Sequence, residues 1–132
     1  MNRKSLTPLG ETEMEVLHHV WDLGQATVAE VKERILNDRN VAYTTVMTVM
    51  KKLADKGYLQ FEKEGATYVY SAARSPEEVQ SSLVDDLVSK VFRGSSLALV
   101  QTLVRQEDLT DEERRDIKQL IEAMEEDDDD AG

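Results

Sequence analysis

Apolar residues recur at helical spacing in the first half of the chain, and the first such segment lies between Met14 and Trp21. Residues three, four and seven positions apart share one side of a helix, so this spacing predicts an amphipathic helix. Thr7-Pro8 predicts its start, because a threonine hydroxyl caps a helix and proline suits the first helical position. Gly24 predicts its end.

Two more helices are predicted before residue 57. Thr27 and Glu30 have the spacing of a capping box, which predicts the start of the second helix. Residues 37–40 are polar and predict a turn, and the third helix begins near Tyr43. The predicted buried stripes are Val28, Val31 and Ile35 on the second helix, and Val46, Val49, Met50 and Leu53 on the third.

The apolar period falls to two after Gly57, which is typical of β-strands. Residues 59–61 and 68–70 are the alternating segments, and Glu64-Gly65 between them predicts a tight turn of a hairpin. Three helices followed by a β-hairpin is the order of a winged helix-turn-helix. In that fold the third helix enters the major groove of DNA, whose width accepts an α-helix. We therefore predict a mainly α protein with a small β-hairpin wing, and a DNA-binding domain over residues 1–74.

The side of the third helix that points away from the core is the candidate DNA-binding surface. Threonine is a mediocre helix former, so three threonines in the first half of this helix indicate a use outside the fold. A threonine hydroxyl contacts bases or phosphates, its methyl group packs on thymine, and lysine neutralises phosphate. The candidate residues are Tyr43, Thr44, Thr45, Met47, Thr48, Lys51 and Lys52, with Lys63 near the turn of the wing. The same pattern also fits a solvated face, or an acidic winged-helix adaptor that binds protein partners without DNA.

Charge divides the chain into two parts. The net charge of −11 would repel phosphate if it were evenly spread. Residues 1–74, however, hold 10 Lys+Arg and 10 Asp+Glu, net 0, whereas residues 75–132 hold 6 and 17, net −11. The first part can therefore present a local basic face. The run EEDDDD at 125–130 predicts a disordered acidic tail over residues 127–132.

Residues 75–126 predict a C-terminal region of three helices that pairs with a second copy of the chain. Ser75-Pro76 opens the first helix, Gly94 interrupts the chain, and Thr110 with Glu113 opens the last helix. Three short helices bury only a marginal core alone, so we expect a homodimer, although a self-contained bundle remains the alternative. The candidate dimerisation residues are Leu83, Leu87, Val91, Leu97, Val100, Leu103, Val104, Leu120 and Ile121.

Other classes of function find little support in the sequence. The chain has no Cys, which excludes disulfides and thiolate metal sites. His18 and His19 are adjacent, so on a helix they point about 100° apart and cannot share a metal. No apolar run reaches the roughly 18 residues of a membrane span, and the N-terminus lacks an apolar signal core. We expect no enzyme activity, no metal or other cofactor, no membrane association and a cytoplasmic location.

Four segments carry a family resemblance: LTPLGETEMEVLHHVW, AYTTVMTVMKKLADKGYL, GATYVY and KVFRGSSLALVQTLVRQEDLTDEE. Together they resemble the BlaI/MecI (penicillinase repressor) family of bacterial regulators over about Leu6 to Met124. The resemblance implies a homodimeric winged-helix repressor that binds a palindromic operator of double-stranded DNA. It places the recognition-helix contacts at Thr44, Thr45, Met47 and Thr48. Thr44 stands where staphylococcal-type members have lysine, and Met47 where they have arginine, so we expect a different operator sequence.

The resemblance also implies how repression ends. In penicillinase-repressor members, a sensor-linked protease cuts an Asn-Phe bond in the helix that follows the turn of the C-terminal region. The cut separates the dimerisation elements. Alignment places that bond at Thr102–Leu103, where both side chains differ from the family pattern. A sensor-linked protease remains a candidate partner, but we expect induction by another signal or constitutive repression. The lack of Cys argues against the copper-responsive branch of the family, which uses a C-terminal cysteine cluster.

Overall fold

The computed structural model describes residues 8–106 and 109–131, with side chains up to Glu125. The chain forms two compact units, of which the first ends at Asp86 and the second begins at Leu87. The first unit extends past the boundary predicted at residue 74, because Val79 is buried in its core and Leu83 packs against that core. Periodicity could not reveal this, since a buried residue has the same spacing whichever partner covers it.

Three helices form most of the first unit: α1 (Glu11–Leu23), α2 (Val28–Ile35) and α3 (Tyr43–Asp55). The predicted start of α1 is wrong, because Pro8 lies outside the helix and Gly10 is the cap. Thr7 lies outside the described residues. Glu13 favours the later start, since its carboxylate accepts the Gly10 N–H group at 3.0 Å.

The predicted end of α1 at Gly24 and the predicted start of α2 at Thr27 are both confirmed. Gly24 caps the end of α1 with φ +82°, a conformation that glycine adopts without steric cost, and its N–H group donates to the Val20 carbonyl at 2.8 Å. At the start of α2 the Glu30 N–H group donates to Thr27 Oγ1 at 3.2 Å, and the Thr27 N–H group donates to Glu30 Oε1 at 3.0 Å. These bonds satisfy backbone donors that a helix start leaves without partners.

A three-stranded antiparallel sheet completes the unit, in the order β1 (Gln25–Ala26), β3 (Thr67–Ala72) and β2 (Leu59–Glu64). Glu64 pairs with Thr67, so the hairpin turn is Gly65-Ala66, one residue later than predicted. Gly65 has φ +63°, which suits a two-residue hairpin turn. The sequence missed β1 because two residues are too few to show a period.

One buried core joins the three helices to the sheet. The predicted stripes on α2 and α3 are confirmed except at Val49, which is only partly buried. The core consists of Val16, Leu17, Val20, Ala26, Val28, Val31, Ile35, Val46, Met50, Leu53, Tyr58, Leu59, Tyr70 and Val79. Trp21 lies at its edge, where the indole N–H group donates to the Arg74 carbonyl at 3.0 Å.

An ion pair ties the start of α1 to the residue that follows α3. Lys56 Nζ lies 2.8 Å from both carboxylate oxygens of Glu13, and it also donates to the Pro8 carbonyl at 3.3 Å. Burial by itself raises the pKa of Glu13, but hydrogen bonds from Lys56 and Gly10 and the charges of Lys56 and Lys52 bring that pKa below its usual value. The ionised carboxylate therefore stabilises the orientation of α3.

We expect Glu13→Gln to lower the free energy of unfolding by about 1–2 kcal/mol at pH 7. The folded-state pKa of Glu13 lies below the usual value of a glutamate side chain. Its contribution is therefore fully present above the unfolded-state pKa and is lost as pH falls through the folded-state pKa. Urea unfolding at pH 7 and pH 3 should show a difference between variant and wild type that shrinks at pH 3. Glu33→Gln on exposed α2 surface is the control, and a Glu13→Gln difference independent of pH would contradict the assignment.

The remaining helices are α4 (Pro76–Lys90), which spans the division between the units, α5 (Ser96–Arg105) and α6 (Asp111–Ala131). Their predicted starts and the break between α4 and α5 are confirmed. The Glu78 N–H group donates to Ser75 Oγ at 3.1 Å, and the Glu113 N–H group donates to Thr110 Oγ1 at 3.1 Å. Gly94 lies between α4 and α5 and has φ +82°, which is not a helical conformation.

The acidic end differs from its prediction. The sequence predicted a disordered tail over residues 127–132, whereas α6 continues to Ala131. Adding residues to an existing helix costs much less than starting one, and the chain from Thr110 to Ala131 contains neither glycine nor proline. Gly132 lies outside the described residues.

Candidate nucleic-acid interface

The buried side of α3 determines which of its side chains face outward. Val46, Met50 and Leu53 are fully buried in the core, so α3 cannot rotate without exposing them. This anchoring turns five of the predicted side chains to the surface, where all are exposed: Thr44, Thr45, Thr48, Lys51 and Lys52. The surface they form is called the Thr/Lys face below.

Met47 departs from its predicted position. The sequence placed it among the outward residues, but it is half-buried and packs against the core. Methionine is long and flexible, so a position at the edge of a helix stripe can still send its side chain inward. Only part of Met47 therefore remains available to a ligand on this surface.

The hydroxyl group of Thr48 has a defined orientation. It donates to the Thr44 carbonyl one helical turn earlier, with 2.8 Å between the oxygens. Its one proton is thereby used, so the oxygen faces a ligand as an acceptor and the methyl group stays in a fixed place. Adenine N6 and cytosine N4 are the major-groove donors that such an acceptor fits, and the thymine methyl group suits the methyl.

The remaining predicted residues are Tyr43, on α3, and Lys63, on the wing. Tyr43 begins α3 and is 47% exposed. Lys63 is exposed on β2, opposite Tyr68 of β3. Glu62 and Glu64 flank it, so β2 carries one positive and two negative charges, a balance that sequence reasoning did not weigh.

Lys51 and Lys52 supply most of the positive charge of the Thr/Lys face. Lys56, one turn later, is neutralised by Glu13 at 2.8 Å. Lys51 has no ion-pair partner among the residues that the structure describes, whereas Lys52 lies near enough to Glu13 to influence its pKa. Two exposed ammonium groups beside three threonine side chains can bind phosphate and contact base edges together.

A groove that the sequence did not predict runs beside this surface. It lies between α3, the start of α2 and the wing, has a volume of about 460 Å³, and includes Lys51 and Tyr68 in its lining. Burial, followed by neighbouring Tyr68, Tyr43 and Asp55, raises the pKa of Tyr70, which also lines the groove. The one sequence signal for this groove was the period-two pattern of the wing, which puts alternate aromatic residues on the same face of the hairpin.

Two further properties concern other kinds of site. Among residues 8–106 and 109–131, the structure holds no group of three His, Cys, Asp or Glu side chains placed to bind a metal ion. None of the helices in that part of the chain is both long and apolar enough to cross a membrane.

A third helix with a polar, basic outer face, carried by a three-helix core and followed by a β-hairpin, defines the class of winged helix-turn-helix DNA-binding regulators. Residues 9–123 match the family model for the penicillinase repressor, and the chain therefore belongs to the penicillinase repressor family. This confirms the resemblance found in the sequence.

Two relatives agree with this assignment, and a solved structure shares the fold. The methicillin resistance regulatory protein MecI of Mammaliicoccus sciuri is 22% identical over 113 residues, which cover 86% of this chain and 92% of that protein. The transcriptional regulator BlaI of Mycobacterium tuberculosis is 33% identical over 86 residues, which cover 64% of this chain and 62% of that protein. The solution structure of the DNA binding domain of the repressor BlaI superposes with a TM-score of 0.51 at 24% identity, over 58% of this chain and 93% of that one. It has the same fold as the first unit.

Proposed function

We propose that this DNA-binding transcriptional repressor acts as a homodimer on a palindromic operator in the cytoplasm. The observation that carries the proposal is the Thr/Lys face, which the buried side of α3 holds outward. Membership of the penicillinase repressor family supports it. The threonine side chains would read base edges in the major groove, while Lys51 and Lys52 would bind phosphates.

Apolar side chains on the second unit support a dimer. Leu97 of α5 is 67% exposed and Leu120 of α6 is 59% exposed, and no side chain of α5 is fully buried within one chain. Exposed apolar surface of this kind marks an interaction site. The remaining exposed members are Leu87, Val91, Val100, Leu103, Ile121 and Met124.

Two of the predicted dimerisation residues, Leu83 and Val104, are partly covered within a single chain. Leu83 packs against the core of the first unit, so we leave it out of the proposed dimer surface. Val91 lies one residue beyond the end of α4 at Lys90, and its N–H group still donates to the Leu87 carbonyl at 2.8 Å, so it keeps its place in the helical repeat. Val104 is half-buried and contributes only in part.

A two-fold dimer would place its two recognition helices on half-sites about 10 bp apart, or a multiple of that spacing.

Salt dependence tests DNA binding against the alternative of an acidic adaptor for protein partners. Footprinting across the DNA upstream of its own gene would locate the operator. The logarithm of operator affinity should then fall linearly with the logarithm of salt concentration, because bound phosphates release counterions. Lys51→Ala should reduce this slope by about 0.9 and weaken operator and random DNA alike.

Lys118→Ala on exposed α6 surface is the matched control, and it should leave the slope unchanged. A protein that protects no upstream sequence would favour the adaptor, which the net charge of −11 would suit.

We further propose that induction does not proceed by cleavage at Thr102–Leu103. Both residues lie inside α5, and the Thr102 hydroxyl donates to the Ala98 carbonyl at 2.9 Å. A protease must open this turn before the bond fits its active site. Immunoblots of cells before and after β-lactam exposure should show the intact chain only, and a fragment ending at Thr102 would overturn the proposal.

A further inference from the structure

The groove beside the Thr/Lys face is large enough for a small ligand. Its volume of about 460 Å³ falls within the roughly 300–1,000 Å³ of small-molecule sites. A second hollow of about 260 Å³ lies on the other side of Lys51, Tyr68 and Tyr70, which line both. All of these residues belong to the first unit, and the core fixes the elements that carry them.

Aromatic rings form the walls of these two hollows, and several are left partly open. Phe61 is 51% exposed and Tyr68 is 44% exposed, although each has a ring neighbour within the wing. The ring centroids of Phe61 and Tyr68 are 5.2 Å apart at 89°, and those of Phe61 and Tyr70 are 5.5 Å apart at 46°. A flat aromatic ring can pack edge-on or offset against such a cluster and cover its exposed apolar surface.

Charge decides which aromatic ligand fits. Lys51 is the one charged residue among those lining the larger groove, and it has no ion-pair partner in the described part of the chain. An anionic group could therefore form a charge-assisted hydrogen bond with Lys51 Nζ while its ring lies against Tyr68. Asp55 lines only the smaller hollow, where it disfavours a second negative charge. We propose that this groove binds a planar aromatic monocarboxylate and that such binding excludes operator DNA.

The competition with DNA follows from shared residues. Tyr43, Met47 and Lys51 line the groove and also belong to the predicted DNA-binding surface. A ligand that occupies Lys51 removes a phosphate contact, and DNA on the Thr/Lys face covers the groove entrance. When two ligands exclude each other, each raises the apparent dissociation constant of the other by a factor that grows with the concentration of the competing ligand. This part of the inference rests on the proposed function, whereas ligand binding to the free protein does not.

The test uses the full-length chain and 2-naphthoate as the probe. Titration followed by two-dimensional NMR should shift the resonances of Met47, Lys51 and Tyr68, which line the groove, before any in the second unit. The uncharged analogue 2-naphthamide should bind about tenfold more weakly, because it lacks the charge that Lys51 attracts. Tyr68→Ala should weaken naphthoate binding roughly two- to tenfold and leave operator affinity without naphthoate unchanged, since Tyr68 lines the groove but lies outside the DNA-binding set.

When operator binding is measured, naphthoate should lower the operator affinity of the wild type more than that of Tyr68→Ala. The inference would be overturned by equal binding of naphthoate and naphthamide, by shifts confined to the second unit, or by unchanged naphthoate binding at saturating operator. Groove resonances that respond to operator but not to naphthoate would assign the groove to DNA alone and would also overturn it. Failure of the proposed function is separate, since it appears as a wild type that binds no operator with or without naphthoate.

Discussion

A chain cut after Asp86 is expected to keep the folded first unit and to bind its operator at least about a hundredfold more weakly than the full-length protein. The cut removes α5, α6 and the end of α4, and with them the exposed apolar residues proposed to join two copies. Each half-site would then be bound independently, and the gain from linking two contacts, typically 10²–10⁴-fold, would be lost. Gel-shift titration of the operator and of a single half-site measures the effect.

Two comparisons separate lost dimerisation from lost folding. A chain cut after Arg74 should melt at a lower temperature than the Asp86 truncation, because it also loses Val79 and Leu83 from the core of the first unit. In the full-length chain, Leu97→Gln with Leu120→Gln should weaken the dimer while leaving that core intact. Analytical ultracentrifugation that finds the full-length protein monomeric at micromolar concentration would refute the dimer.

Thr48→Ala is expected to weaken operator binding by about 1–3 kcal/mol and to leave random DNA affinity nearly unchanged. The change removes both the oriented acceptor and the methyl group of Thr48. Thr48→Val keeps the shape but lacks the acceptor, and Thr48→Ser keeps the hydroxyl but lacks the methyl group. Gel shifts with all three variants therefore show which group reads the operator, and Thr45→Ala is expected to have an effect of similar size.

Thermal unfolding provides the control for these threonine variants. Thr44, Thr45 and Thr48 are exposed, so their substitution should change stability by roughly 0.5 kcal/mol or less. Variants that fold normally and bind the operator as tightly as the wild type would contradict the assignment of the recognition surface.

Much of the first unit could be predicted because its signals are local. A capping box at Thr27, a glycine at position 24 and a change of apolar period after Gly57 each act over a few residues, and each has its predicted effect. The start of α1 was missed because it involves contact with a distant residue. Lys56 holds Glu13, the side chain that caps Gly10, across 43 positions of sequence.

In the candidate site, too, local features could be predicted and contacts between distant residues could not. Helical periodicity put Thr44, Thr45 and Thr48 on the surface, but it could not show that Met47 turns inward or that Thr48 donates its proton to the backbone. The groove escaped prediction because α2, α3 and the wing form it together, from residues far apart in sequence. Leu83 was assigned to a dimer for a related reason, since spacing identifies an apolar face without identifying what covers it.

The hydrogen bond from Trp21 to the Arg74 carbonyl gives the protein a built-in optical reporter. Trp21 is the single tryptophan of the chain, and its indole contacts the backbone at the junction between the wing and α4. The ring of His18 meets it edge-on, with centroids 5.4 Å apart. The wavelength and lifetime of indole emission depend on hydrogen bonding and on nearby polar groups, so any shift of this junction changes the fluorescence of the whole protein. Stopped-flow mixing with unlabelled DNA can therefore test, without a dye, whether the wing moves against α1 when DNA binds.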